Sequence, residues 1–92
     1  MILLLSYDLN QHESPDEYQR LIKAIKDTAG EGNYVKALYS QWFVESNLSI
    51  TDWNATMRNA TDDNDNRMIV ELTKRPTGKY FSSAIDWLKQ RL

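Results

Sequence analysis

The sequence predicts an α+β sandwich, one antiparallel sheet under helices, and three features of its 92 residues carry that prediction. A short apolar run opens the chain. Two serine-headed capping patterns, at Ser14 and Ser49, each precede an apolar stripe at helical spacing. Between them lies a segment rich in aromatic and β-branched residues, 34–46, with a turn-compatible triplet in its middle.

The elements follow in order. Ile2 to Leu9 is apolar and too short for a helix, and Asn10 favours a turn, so it reads as a strand. Its nearly continuous hydrophobicity fits a central strand covered on both faces or packed under helices. "SPDE" at 14–17 combines a capping serine, a proline at the first helical position and a glutamate placed to return a hydrogen bond to the cap, so a helix starts there. Tyr18, Leu21, Ile22 and Ile25 form its apolar stripe, and Gly30 and Gly32 stop it. "YVKALYSQWFVES" (34–46) is a hairpin reversing at Tyr39-Ser40-Gln41, or one long bent strand. Ser49 and Asp52 open a shorter helix with Ile50, Trp53 and Met57 on one side. "TDDNDNR" (61–67) is a polar loop, Met68 to Leu72 a strand, and "KRPTGK" a break. Ser82 to Leu92 is helical, capped by Ser82 or Ser83, with Ala84, Trp87 and Leu88 on its stripe and Lys89 and Arg91 suited to its C-terminal end. With two strands from 34–46 the order becomes β-α-β-β-α-β, a ferredoxin-like two-layer sandwich with an added C-terminal helix, read as a single domain over 1–92. Leu3, Leu5, Leu21, Ile25, Trp53, Ile69 and Leu72 are its expected core.

Composition bounds the function. Hydrophobic residues make up 41% and aromatics 11%, enough for one core, and there is no cysteine, so the chain folds without disulfides or thiolate metal sites and suits a reducing cytoplasm. No basic leader precedes the apolar start and no stretch approaches the roughly 18–20 apolar residues of a spanning helix, so no membrane is expected. Charge is unevenly divided: residues 1–66 hold five Lys/Arg against eleven Asp/Glu, and residues 67–92 hold six against two. Attraction to phosphates is therefore expected from the C-terminal quarter.

Asp8 is the candidate catalytic and metal-ligating residue, because a carboxylate at the lip of a strand is held rigidly with its oxygens free for a hard cation, Mg²⁺ or Mn²⁺. One carboxylate is few for such an ion, and a symmetric dimer would supply a second. Otherwise Asp8 simply closes a turn with Asn10. Alternation sets Ser6 on the same face, able to orient Asp8 or a water, and turns Tyr7 inward. His12, the sole histidine, lies just beyond and reads as a solvated loop residue before a general base. Lys74, Arg75 and Lys79, interleaved with a turn and with Tyr80 and Phe81, are candidate nucleic-acid contacts together with Arg20; the alternative for 74–81 is a connector whose aromatics bury. Asp63 and Asp65 have a calcium-loop spacing without the downstream glycine and glutamate, so a solvated turn is expected.

The first strand ending in "SYDLN", the capped helix, "YSQWFVESNLS", "DDNDNRMIVEL" and the late "WLK" together resemble the stand-alone SinR-family proteins, relatives of the small CRISPR-associated adaptation subunit and of VapD-type ribonuclease toxins. The resemblance spans nearly the whole chain. It implies a ferredoxin-like fold, a homodimer, and Asp8 as ligand of a divalent metal in phosphodiester cleavage, of RNA before DNA. It also brings in antiviral defence or a toxin–antitoxin setting and, for the CRISPR branch, an integrase-like protein partner. That branch often carries a basic cluster after the aspartate, where this chain has "NQHESPDEYQR" with three acids before Arg20. A noncatalytic homodimeric scaffold binding nucleic acid, or a protein-interaction subunit, are the other functions the residues allow.

Overall fold

The computed structural model describes residues 1–9 and 15–92. Strand β1 (Ile2–Asp8) is followed by helix α1 (Pro15–Ala29), the hairpin β2 (Tyr34–Leu38) and β3 (Gln41–Glu45), helix α2 (Ile50–Asn59), strand β4 (Asn66–Leu72) and helix α3 (Ser82–Lys89). The four strands form one sheet in the order β2-β3-β1-β4. Every neighbouring pair is antiparallel. This is the ferredoxin-like order with an additional C-terminal helix, and the hairpin, not the single bent strand, is what 34–46 forms.

Alternation along β1 makes the core. Leu3, Leu5 and Tyr7, with Leu9 beyond the strand, point to the face covered by α1 and α2, where Leu21, Ile25, Trp53, Met57, Trp42 and Val44 close the larger cluster. Gly30, with a positive φ of 88°, ends α1 and donates its N–H to the Lys26 carbonyl, as a left-handed cap residue does. In α2 the expected Ser49 cap forms, its side chain accepting from the Asp52 N–H at 3.0 Å. Trp53 and Met57 are buried, whereas Ile50 in the first turn is exposed. The turn expected at Asn10, the cap expected at Ser14 and the residue His12 lie outside the described residues.

The other face carries a second, smaller cluster of Ile2, Phe43, Ala37, Ala84 and Leu88 under α3, with Leu4, Leu72, Tyr80 and Trp87 packed against it. Leu72 therefore belongs to this side and not to the α1/α2 core, because its register partner is Ile2. Two further features depart from the sequence pattern. The N-cap of α3 is Phe81, with no side-chain hydrogen bond, so neither Ser82 nor Ser83 caps it. The helix is instead positioned by tertiary contacts: Trp87 Nε1 donates to the Gly32 carbonyl at 3.1 Å, and Arg91 stacks 3.9 Å from the Trp87 ring and pairs with Glu45 at 3.3 Å. The polar loop after α2 is not wholly solvated either. Asp65 is buried and accepts from the Asp62 N–H at 2.8 Å, closing the loop on itself. Among the described residues no helix is long and apolar enough to cross a membrane.

Candidate functional site

The end of β1 is positioned from behind. Tyr7 is buried, and Trp42 Nε1–H on β3 donates to its hydroxyl at 3.0 Å while Tyr18 of α1 packs against its ring at 6.3 Å. Burial, first, and the nearby Tyr39 push the Tyr7 phenol above its ordinary range, and the Trp42 hydrogen bond opposes them. With Tyr7 fixed inward, Ser6 and Asp8 face the opposite side, as alternation requires. Ser6 lies between Gln41 on β3 and Met68 on β4, and Asp8 opposite Asn66. Because α3 packs on the part of this face around Ile2, Ala37 and Phe43, the far end, where β1 finishes and β4 begins, stays open. There Ser6, Tyr7, Asp8, Asn66, Arg67 and Met68 line a depression of about 320 Å³.

Gln41 Nε2–H donates to Ser6 Oγ at 3.2 Å, so the serine hydroxyl keeps its own proton for a further acceptor. Asp8 is exposed, and neither a hydrogen bond nor an ion pair engages its carboxylate among the described residues. Nor do the described residues hold any group of three or more His, Cys, Asp or Glu arranged for a metal ion. Asp8 is a hard oxygen donor of the kind Mg²⁺ and Mn²⁺ take, but a single one, so most of the coordination sphere of such an ion would fall to water and to a phosphate.

The connector from Thr73 to Phe81 returns across this same sheet face. Pro76, Thr77, Gly78, Lys79 and Tyr80 wall a groove of about 290 Å³ whose floor includes Leu4, Gln41 and Phe43. Tyr80 packs edge-on against Phe43 at 5.8 Å, and the Phe81 N–H donates to the Ala37 carbonyl at 3.1 Å. Tyr80 is thus a packing residue, while Lys74, Arg75 and Lys79 are exposed. Gln41 links the two features, since it bonds Ser6 and lines the groove beside Lys79.

Arg20 stands apart from these cations. On α1, across the sheet, its Nε–H donates to the Ala60 carbonyl at 3.2 Å and its guanidinium lies 3.8 Å from Asp62. Glu17 shares that neighbourhood, and its carboxyl is pushed above the ordinary range by shielding from water first, then by a hydrogen bond with Asp62 and the charges of Asp62 and Asp65, against the pull of Arg20. The sheet therefore separates charge: from residue 73 onward five Lys/Arg face one Asp, whereas 50–65 holds four Asp and one Arg.

One exposed aromatic escaped the sequence reading. Tyr39, at the tip of the β2–β3 turn, is 75% exposed, and Lys36 sits over its ring at 4.9 Å. Its position in the predicted reversal was the available signal, since a turn tip has nothing to bury against. No protein-family model matches the chain, and no curated protein matches it.

Proposed function

We propose that this chain is a nucleic-acid-binding subunit that takes a single strand along the connector face, with Lys74, Arg75 and Lys79 on phosphates. The observation carrying the reading is that the basic connector lies over the same sheet face as Ser6 and Gln41, leaving three cations exposed on the positive side of a molecule divided by charge. Backbone neutralisation supplies affinity without sequence preference. In a salt titration against an unstructured RNA, replacing Lys74, Arg75 and Lys79 together by alanine is expected to weaken binding and to flatten the log–log salt slope by roughly 2, at about 0.7 per single-strand phosphate contact. An unchanged slope rejects this face as the binding surface.

A second reading is metal-dependent phosphodiester cleavage, of RNA before DNA, and it is favoured by the exposed, unengaged Asp8 carboxylate beside Ser6. Asp8 would hold Mg²⁺ or Mn²⁺, and such an ion, when bound, polarises a phosphate oxygen and acidifies its water. The chain's own contribution is orientation: Tyr7 locks the strand, and the Ser6 hydroxyl, fixed by Gln41, offers a proton to a phosphate oxygen or water. Cleavage in Mg²⁺ or Mn²⁺ that disappears in Asp8→Asn, with RNA binding retained, is the expected result. Undiminished cleavage in that variant excludes Asp8.

A further inference from the structure

The two edges of the sheet are not alike. At β2 the register shifts between Lys36 and Leu38, and the connector's Phe81 N–H occupies the Ala37 carbonyl, so that edge is kinked and covered. Irregularity and cover of this kind are how sheets avoid joining edge to edge. At β4 there is no register shift. Its seven residues pair with β1 in unbroken register, it contains no proline, and among the described residues β1 is its sole strand partner, so the backbone donors and acceptors of its outer edge have no strand to bond. Met68 is 60% exposed and Val70 42% exposed on it.

From this edge we infer that β4 pairs antiparallel with β4 of a second copy about a twofold axis at Ile69, joining two sheets into one of eight strands. In "NRMIVEL" the apolar Met68 and Val70 and the oppositely charged Arg67 and Glu71 stand at equal distances on either side of that residue, which is also the midpoint of the strand. The pairing sets Asn66 against Leu72, Met68 against Val70 and Arg67 against Glu71, twice over, with all seven residues engaged. Opposite charges directly across a strand pair attract, and apolar neighbours on one face pack. Neither adjacent axis does this. Centred on Met68 the strands oppose Arg67 to Ile69, and centred on Val70 they oppose Glu71 to Ile69. An axis between residues would send the exposed Met68 and Val70 of the two copies to opposite faces. Within one chain, Arg67 Nε–H donates to Asn54 Oδ1 at 2.7 Å, which leaves the other guanidinium N–H groups for a carboxylate, and no ion pair engages Glu71 among the described residues.

The axis stands perpendicular to the sheet, so both connectors emerge on the same side. The two Asp8 lie three strand spacings and six residues apart, about 25 Å. Each carboxylate therefore acts alone, and the pairing stands or falls separately from nucleic-acid binding.

Sedimentation equilibrium of the 92-residue chain tests the inference. The wild type is expected to dimerise, and Arg67→Glu and Glu71→Lys, each placing like charges opposite one another twice, to weaken dimerisation roughly tenfold or more. Mixing the two variants restores both ion pairs, so a heterodimer is expected where neither variant self-associates. Far-ultraviolet circular dichroism of each variant reports the fold, and Glu71→Lys, whose side chain is exposed, provides the comparison should Arg67→Glu lose its contact with Asn54. A monomeric wild type overturns the inference, as does a dimer indifferent to Glu71→Lys, or a pair of folded variants that do not combine.

Discussion

Replacing Trp53 by alanine is expected to remove about 3–5 kcal/mol from the unfolding free energy, the usual consequence of deleting a large side chain from a packed core. Trp53 is 0% exposed and is the largest fully buried side chain, held by α2 against Leu3, Leu5 and the stripe of α1. Since small domains hold only about 5–15 kcal/mol in total, the variant should be largely unfolded under mild denaturant. Trp53→Phe should cost far less than its lost area suggests. The indole Nε1–H is buried without a hydrogen-bond partner among the described residues, so its removal also removes a desolvated donor. Urea titrations of both variants, with the m-value checked for two-state behaviour, give the comparison. An alanine variant within about 1 kcal/mol of wild type would contradict the packing assignment.

Tyr7→Phe is expected to lose about 1–3 kcal/mol, because it leaves the Trp42 indole N–H buried with no acceptor. The same substitution should alter the response to alkali. Burial holds the folded phenol above its ordinary range, so the unfolded chain releases that proton first as pH rises. Between the unfolded value, near 10, and the higher folded value, the native state binds more protons and stability falls with increasing pH. Below that window the contribution is intact. Unfolding measured on either side of pH 10 should therefore decline less steeply in the phenylalanine variant than in wild type, and parallel declines would dissociate Tyr7 from the alkaline limb.

The order of elements was legible because local chemistry decided it. The Ser49–Asp52 cap, the Leu21–Ile25 stripe and the reversal after Leu38 each satisfy a short-range requirement that the fold then uses. Alternation alone placed Tyr7 inward and Ser6 with Asp8 outward. What could not be read was anything set by the packing of distant segments. Phe81 caps α3 without a side-chain bond because Trp87 and Arg91 hold that helix from the far side, through Gly32 and Glu45. Asp65 is buried because the loop closes on it. Arg20 looked like a phosphate contact by charge, yet the sheet puts it across the molecule from Lys74, Arg75 and Lys79, beside Asp62. Gln41 reads as a turn residue in the sequence but opens β3, and its place between Ser6 and the groove exists only once the strands are in register.

The sheet order has a consequence for biosynthesis. The strand made first sits in the middle, with Ser6 beside Gln41 on one side and Ile2 beside Leu72 on the other. A nascent chain cannot complete that strand until residue 72 has cleared the ribosome. At translation speeds of about 5–20 residues per second, Leu3 and Leu5 wait on the order of seconds for their neighbours, a delay in which chaperone shelter matters more than for a fold whose first strand lies at the margin.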